Sequence, residues 1–428
     1  MLSRMEHDSI GALNVPAEAY YGVQSMHAAT NFQITHRLLH PVLIDSIVMV
    51  KKAAAITNEK SGKLDQQIAQ AIIQACDEIL DGNLRDQFIV DAIQGGAGTS
   101  ANMNANEVIA NRAIEILGGT KGDYSIVHPN DHVNMSQSTN DVIPTAGKIT
   151  VLKLLPQTIK ELEKLEKAME EKEAEFDDIL KMGRTQLQDA VPMRLGQSFG
   201  AFAHVLKRDI KRLKNVMDEM KVLNIGATAI GTAINVDPYY LANISYELSK
   251  VAGISLKQAD DLIDATQNLD GFVSVSGVLK TCAVDISKIS NDLRLMSFGP
   301  RTGLSEINLP ARQNGSSIMP GKINPVIPEV VSQVVYLIIG HDYTITMAAE
   351  AGQCEEYIEK SVGISTALCP YIGYAKSAEI AKKSLKTGIS VKELVLEEGL
   401  LKEEELKEIL KPEKMTQPMR EKVMKAVS

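Results

Sequence analysis

The sequence QTIKELEKLEKAMEEKEAEFDDILK, residues Gln157–Lys181, decides the fold class. Its apolar residues recur every three or four positions, at Ile159, Leu162, Leu165 and Met169. This spacing forms one stripe along an α-helix. The segment Phe199–Leu223 repeats the pattern. Long helices with such stripes pack side by side in bundles, so we predict an all-α protein with a long central helical bundle.

The composition supports this prediction. Aromatic residues make up 4% of the 428 residues and tryptophan is absent, so residue types that favour strands are scarce. A chain of this length exceeds what one hydrophobic core usually organises. We predict an N-terminal domain at residues 1–137, the central bundle at 138–360 and a small C-terminal helical domain at 361–428.

One helix of the bundle stands out by its composition. Around Val330–Ala351 apolar residues occur on nearly every side, so we expect this helix to be the buried central rod of the bundle. At Gln353 the pattern changes abruptly to the polar run CEEYIEK.

Charge and cysteine usage exclude several classes of protein. The net charge of −9 gives no basic surface for nucleic acid, and no apolar run reaches the roughly 18 residues of a membrane span. The four cysteines form no CxxC pair, and no signal-peptide pattern precedes the first charges. We therefore expect reduced thiols in a cytoplasmic protein that binds neither nucleic acid nor membrane.

Four segments have compositions that core packing does not explain, at residues 95–104, 128–141, 183–192 and 315–325. The first is glycine-rich, and its simplest alternative is a turn before a helix capped by Thr99 or Ser100. The third is a polar turn joining the two long helices. The fourth fails the phosphate-loop pattern in spacing and final residue, which leaves a mobile lid with serines and a lysine.

The second segment is polar at nearly every position. His128, Asp131 and His132 suggest a metal site, but Pro129 interrupts their spacing and no second group of ligands follows. The alternative is a hydrogen-bonded start of a helix that uses one or two of these side chains. We predict no metal site.

Together these segments resemble, in order, the active-site regions of the aspartase/fumarase superfamily, and Gly315–Pro325 is similar to its signature loop. The run TQLQDAVP at Thr185–Pro192 looks like that of bacterial aspartases, whereas fumarases usually carry histidine at the position of Gln186. The resemblance implies removal of ammonia from L-aspartate to give fumarate. A class II fumarate hydratase, with water as the leaving group, is one alternative. A catalytically impaired helical scaffold is the other.

The resemblance also implies a role for each candidate side chain. Ser316 would be the general base that removes a proton from Cβ. The β-carboxylate would be bound by Thr99, Ser138, Thr139 and Ser317. The α-carboxylate would be bound by Lys322 and Asn324. The departing amine would lie near Asn140, Thr185 and Gln186.

Members of this superfamily are homotetramers whose active sites draw residues from three subunits, so we expect self-association. No cofactor is implied, although some aspartases respond to divalent cations such as Mg²⁺ as activators. The chain departs from the family at two places. His27 stands where an arginine is usual. At Gln353–Cys354 the continuation of the family's central helix and a further bundle helix are missing, which predicts reduced stability and weak assembly.

Overall fold

The computed structural model describes residues 2–299, 301–351 and 362–415, and most of them are helical. The helices are α1 (Val23–Asn31), α2 (Pro41–Lys60), α3 (Gln66–Leu80), α4 (Thr99–Ile116), α5 (Thr139–Glu175), α6 (Leu195–Met220), α7 (Pro238–Ala252), α8 (Leu262–Gln267), α9 (Asp270–Ser297), α10 (Val326–Glu350), α11 (Cys369–Ile372), α12 (Tyr374–Thr387), α13 (Val391–Glu397), α14 (Glu403–Ile409) and α15 (Pro412–Met415). The prediction of an all-α fold is confirmed.

Six short strands form three two-stranded sheets within the described residues. The strands are β1 (Ser3–His7), β2 (Ala12–Pro16), β3 (Leu180–Thr185), β4 (Gln188–Arg194), β5 (Val222–Leu223) and β6 (Lys257–Gln258). The pairs β1–β2 and β3–β4 are antiparallel hairpins, and β5–β6 is parallel.

The chain divides into two compact units. The first contains the described residues of Met1–Val151, Lys221–Asn268 and Gly352–Ser428, and the second contains those of Leu152–Met220 and Leu269–Ala351. The domain boundaries predicted at 138 and 361 stay predictions. None of the helices in the described ranges is long and apolar enough to cross a membrane.

In the first unit, α2 packs against α3, α4 and α7. Pro41 occupies the first turn of α2, where a missing N–H costs nothing. Ile44, Ile47 and Val48 are buried along one stripe of this helix. Lys51 falls on the same stripe and is fully buried.

The C-terminal part of the first unit has a small core of its own. Its buried side chains are Ala367, Leu368, Ile380, Val391, Leu394, Val395, Leu406 and Ile409. A capping box at Ser390 and Glu393 begins α13. Apolar residues from four short helical segments thus meet in one cluster.

In the second unit, the part of α5 from Leu152 onward runs antiparallel to α6. Glu163 of α5 pairs with Lys214 of α6 at 2.7 Å, and the ring centroids of Phe176 and Phe199 lie 5.3 Å apart where α5 ends and α6 begins. The helix predicted through Lys181 ends at Glu175. The apolar spacing continues past this point, but it belongs to a strand.

The polar turn predicted at 183–192 is therefore the β3–β4 hairpin. Thr185 pairs with Gln188, and the two loop residues Gln186 and Leu187 have φ values of 52° and 62°. Positive φ at both positions is typical of the two-residue turns that match the twist of antiparallel strands. The segment does join the two long helices, but the hairpin itself was not predicted, because no Asn-Gly pair marks the turn.

The prediction that α10 is buried on every side is wrong for this single chain. Val335 and Asp342 are buried, but Tyr336, Leu337 and Tyr343 are 67%, 62% and 70% exposed. Within the second unit α9 packs along α10, so one face is covered and a broad apolar face is open. The change predicted at Gln353–Cys354 lies outside the described residues.

Candidate functional site

Two helix N-termini in the first unit carry candidate residues. Thr99 is the first residue of α4 and Thr139 is the first residue of α5. Asn102, in the first turn of α4, donates to the Thr139 Oγ1 at 3.3 Å. A Cβ at Gly98 would lie 2.9 Å from the side chain of Ile143, so the two helix starts are in close contact. Positive ends of helix dipoles favour a bound anion.

The hydroxyls at the start of α5 face this junction as hydrogen-bond acceptors towards the protein. Ser138 Oγ accepts from the backbone N–H of Asn140 at 3.4 Å, and Thr139 Oγ1 accepts from Asn102. Because a hydroxyl can accept and donate at once, each O–H hydrogen is left for a ligand. The geometry suits recognition of carboxylate oxygens.

The side chain of Asn140 offers an acceptor to a ligand, whereas Ser138 and Thr139 offer donors. Its Nδ2 donates to the carbonyl oxygen of Ala229 at 2.7 Å. This bond fixes the amide and leaves Oδ1 as an acceptor. An acceptor beside two donor hydroxyls suits a substrate that carries an amine near a carboxylate.

The buried side chain of Lys51 forms hydrogen bonds to the segment that precedes α5. The Nζ of Lys51 donates to Asn134 Oδ1 at 2.8 Å and to Gln137 Oε1 at 3.0 Å. Asn134 Oδ1 also accepts from Asn102 at 3.2 Å and from Asn106 at 3.3 Å. Several donors thus converge on one amide oxygen, directly before the segment that contains the candidate hydroxyls.

The buried carboxylate of Asp141 also forms a hydrogen bond to this segment. Asp141 Oδ1 accepts from the N–H of Ser138 at 2.9 Å, and its Oδ2 accepts from Gly226 and Thr228 at 3.1 and 3.0 Å. Burial raises the pKa of Asp141 to about 6, against the effects of these N–H groups and of Lys51. Burial lowers the pKa of Lys51 to about 7, and Asp141 opposes that shift.

The sequence analysis missed Lys51 and Asp141 as site residues. A signal for Lys51 exists, because it lies on the apolar stripe of α2 where a lysine must find partners inside the protein. Asp141 lies at the end of the quoted polar segment and was not singled out.

A cavity of about 620 Å³ opens beside Thr99 in the first unit. His27, His128 and Tyr374 are among the residues that line it. The Nε2 of His27 lies 3.6 Å from Asp8 Oδ2. The departure at His27 therefore places an imidazole ring, close to the carboxylate of Asp8, in the same cavity as Thr99.

The geometry does not support a metal site at His128, Asp131 and His132. The Nδ1 of His128 accepts from the backbone N–H groups of Asn130 and Asp131, and the Nδ1 of His132 accepts from that of His128. In the part of the chain that the structure describes, no three His, Cys, Asp or Glu side chains group as metal ligands. The alternative for residues 128–141 was a helix start that uses one or two of these side chains in hydrogen bonds. Most polar side chains of the segment form hydrogen bonds, so the number is larger than that alternative assumed.

In the second unit, Ser316 lies in the irregular connection that follows α9 and precedes α10, and its side chain is half-buried. Its Oγ accepts from the backbone N–H groups of Ile318 at 3.2 Å and Met319 at 3.0 Å. Two N–H donors on one hydroxyl oxygen favour its ionised form over its neutral form. Ser317 is exposed.

The loop around Ser316 closes on itself through Gly315. The Gly315 N–H donates to the Lys322 carbonyl at 2.8 Å, and Asn324 Nδ2 donates to the Gly315 carbonyl at 3.1 Å. A Cβ at Gly315 would lie 2.6 Å from Asn324 Oδ1, so a larger residue cannot fit without moving Asn324. The Lys322 side chain is exposed.

The remaining candidates, Thr185 and Gln186, are exposed at the tip of the β3–β4 hairpin. Below the tip, Arg184 pairs with Glu306 Oε1 at 2.6 Å and Lys181 pairs with Glu306 Oε2 at 3.2 Å. Glu306 belongs to the same irregular connection as Ser316, so the hairpin and this connection share an anchor.

The structure thus groups the ten candidates in two sets. Thr99, Ser138, Thr139 and Asn140 lie in the first unit. Thr185, Gln186, Ser316, Ser317, Lys322 and Asn324 lie in the second unit.

Comparison with known proteins assigns the chain to a family. The family model described as Lyase matches residues 11–340, and the model described as Fumarase C C-terminus matches residues 364–417. The chain is 49% identical to the aspartate ammonia-lyase of a Bacillus species over 457 aligned positions, covering 97% of this chain and 98% of the relative. That alignment is longer than the 428-residue chain, so at least 29 of its positions have no counterpart here.

Two crystal structures have the same fold. One, of fumarate lyase:delta crystallin from Brucella melitensis bound to cobalt, is 46% identical with a TM-score of 0.81, covering 97% of this chain and 100% of that one. The other, of recombinant class II fumarase from Schistosoma mansoni, is 32% identical with a TM-score of 0.79, covering 97% and 99%. The chain therefore belongs to the lyase family of the aspartase/fumarase superfamily.

Proposed function

We propose that the chain is an aspartate ammonia-lyase, which converts L-aspartate reversibly to fumarate and ammonia. One observation carries this proposal. Over 97% of its length the chain is 49% identical to an aspartate ammonia-lyase. The identity to the class II fumarase structure is only 32%, which favours ammonia over water as the leaving group.

The arrangement at Asn140 supports the same choice. Its amide donates to Ala229 and leaves Oδ1 as an acceptor, which suits the N–H groups of a substrate ammonium. At Gln186 the chain has a neutral amide where fumarases usually carry an imidazole. In the proposed site, the substrate amine therefore lies near the neutral amide of Gln186 and not near an imidazole.

The Cβ hydrogen of aspartate is barely acidic, so the proposed base must be strong. We propose that the Ser316 alkoxide takes this proton, since two backbone N–H groups already point at its oxygen. The electron pair enters the β-carboxyl group as a dianionic aci-carboxylate. When this intermediate collapses, the Cα–Cβ double bond forms and the Cα–N bond breaks. The protonated amine then leaves as neutral ammonia.

Stabilising the aci-carboxylate is the largest part of the proposed catalysis. Ser138 and Thr139 supply hydroxyl hydrogens at the start of α5, and Thr99 lies at the start of α4. Thr99 Oγ1 donates to the Gly96 carbonyl at 2.7 Å, so its hydroxyl must turn to reach a substrate. Ser317 is proposed as a further donor to the β-carboxylate.

The α-carboxylate is proposed to bind Lys322 and Asn324. The ammonium of Lys322 would give the carboxylate a charge-assisted hydrogen bond, and the amide of Asn324 would give it a neutral one. Both belong to the loop that carries Ser316, so closure of this loop would place the base and the α-carboxylate contacts together. Thr185 and Gln186 are proposed to complete the site near the amine.

Self-association as a homotetramer is proposed from the open face of α10. Its exposed Tyr336, Leu337 and Tyr343 form an apolar surface that a monomer rarely presents. An apolar helix face of this kind fits a symmetric subunit interface. The two sets of candidate residues are proposed to meet between subunits. Loss of assembly would then abolish activity even with every candidate residue present.

A cytoplasmic location and activation by a divalent cation such as Mg²⁺ are also proposed. The described cysteines Cys76, Cys282 and Cys369 are free thiols, which suits a reducing compartment. Comparing activity after chelation with activity after Mg²⁺ addition tests the second point, and an unchanged rate would refute it.

The test of the proposed function is the forward reaction. Purified protein is incubated with L-aspartate, fumarate is followed by its absorbance and ammonia is measured by a coupled assay, while light scattering gives the oligomeric mass. We expect both products in equal amounts, formed by the tetrameric fraction of a protein whose assembly the missing segment at Gln353–Cys354 is predicted to weaken. A folded protein that releases neither product would support the impaired scaffold.

A further inference from the structure

Lys51 is a fully buried lysine whose charge the proposed chemistry does not use. It lies on α2, while Asn134 and Gln137 lie 83 and 86 residues further along the chain. Burial of a lysine is costly unless it is paired. So costly a group invites a functional explanation.

We propose that Lys51 is a positioning residue for the ammonia-lyase reaction, because it fixes the Asn134–Gln137 turn from which the β-carboxylate donors Ser138 and Thr139 follow. The inference rests on the proposed function and assigns Lys51 no contact with substrate.

The hydrogen bonds form a continuous path. Lys51 Nζ donates to Asn134 Oδ1 at 2.8 Å. Asn102 Nδ2 donates to that same oxygen at 3.2 Å and to Thr139 Oγ1 at 3.3 Å. The bond to Thr139 sets which side of its oxygen remains for its own hydrogen. Lys51 is therefore connected to Thr139 through the amides of Asn134 and Asn102.

A second branch holds the turn itself. Lys51 Nζ donates to Gln137 Oε1 at 3.0 Å. Gln137 Nε2 donates to the carbonyls of Val133 and Met135 at 3.0 and 3.1 Å. Ser136 has a φ of 62°, an unfavourable conformation that surrounding bonds must maintain. Without Lys51, the side chains of Asn134 and Gln137 lose their attachment to α2, while Asn58 of α2 still bonds the carbonyl of Met135 and the hydroxyl of Ser136.

The decisive variant is Lys51→Met, which keeps the length of the side chain and removes its donors. Its matched control is Lys52→Met, the next residue of α2, whose ammonium pairs with Asp77 of α3. For each variant we would measure Tm, kcat, KM for L-aspartate, and the Kd for succinate, a dicarboxylate without an amine, by calorimetry.

We expect Lys51→Met to lower kcat/KM by about 100-fold and to weaken succinate binding about tenfold in protein that remains folded. Lys52→Met should keep both values within about twofold of the wild type while lowering Tm slightly. A folded Lys51→Met variant with wild-type kcat/KM and succinate affinity would overturn the proposal, whatever its Tm.

If Lys51→Met does not fold, Asn134→Leu decides. Asn134 is only half-buried, and this change breaks the same path at its shared acceptor. A similar loss of kcat/KM supports the proposal, and wild-type kinetics overturn it. If the wild type itself makes no fumarate, the proposed function has failed. The succinate Kd then still tests whether Lys51 organises a dicarboxylate site.

Discussion

The Asn134–Gln137 turn, which leads into α5 in the first unit, and the Gly315–Asn324 loop of the second unit position candidate residues in opposite ways. The turn is held by fully buried Lys51 and Asp141. The loop is mostly exposed and is held by hydrogen bonds among its own residues. The fixed turn and the exposed loop therefore suit different roles. Donors that stabilise developing charge work best when fixed, whereas a base on a loop can close over bound substrate.

The largest expected effect comes from removing the base on the loop. Ser316→Ala should lower kcat by about 1,000-fold, within the usual range for general acid–base catalysis. Aspartate affinity should change little, because the carboxylate donors remain. Ser297→Ala, at the end of α9, is the control and should be active. Steady-state kinetics and calorimetry check this, and a Ser316→Ala variant with most of its turnover would show that another group is the base.

The next largest effect tests the shape of the loop without removing a candidate side chain. Gly315→Ala places a methyl group 2.6 Å from Asn324 Oδ1, so the loop must open. We expect kcat/KM to fall by roughly 100-fold at nearly unchanged Tm. Gly277→Ala, in α9 with nothing within 4 Å of the added Cβ, is the control. Equal activity of the two variants would mean that the loop shape is unimportant.

Removing the loop's cation should affect binding more than turnover. Lys322→Ala leaves the α-carboxylate without its proposed counter-charge, so KM should rise about tenfold or more. Lys288→Ala, an exposed lysine of α9 paired with Asp292, should keep the wild-type KM. An unchanged saturation curve for Lys322→Ala would rule out its proposed role.

The burial of Lys51 at the Asn134–Gln137 turn should make the stability of the protein depend on pH. The pKa of Lys51 is about 7 in the folded protein against an ordinary 10.5, so between these values the unfolded chain binds more protons. Raising the pH through this window therefore favours the folded state. The Tm of the wild type should rise relative to Lys51→Met from pH 7 to 10. A constant Tm difference would contradict the burial of this amine beside Asp141.

The smallest expected effect concerns the β3–β4 turn. Leu187 has a φ of 62°, a conformation that costs a non-glycine residue about 1 kcal/mol. Leu187→Gly should stabilise the protein by about that amount, with a higher Tm in calorimetry. Met182→Gly, in β3, should lower Tm. A lower Tm for Leu187→Gly would show that its side chain stabilises the tip.

The sequence predicted the helical fold well because a three-to-four spacing identifies helices locally. It failed at the end of α5, where Leu180 continues an apolar pattern that belongs to β3. It also failed for α10, because an apolar helix pattern does not say which faces of the helix the same chain covers.

For the site, the sequence supplied the candidate residue types but not their hydrogen bonds. The two N–H groups on Ser316 depend on a backbone shape that no residue type specifies. Lys51 reaches partners more than 80 residues away, and such pairing is set by helix packing. The residue roles stay predictions, while the family and the lyase chemistry rest on close relatives.

The most direct measurement is the reverse reaction. Purified protein is mixed with fumarate with and without ammonium, and the loss of fumarate absorbance is followed while products are separated by chromatography. We expect fumarate to be consumed only when ammonium is present, with L-aspartate as the product. Consumption of fumarate without ammonium, with malate formed, would contradict it and establish a hydratase.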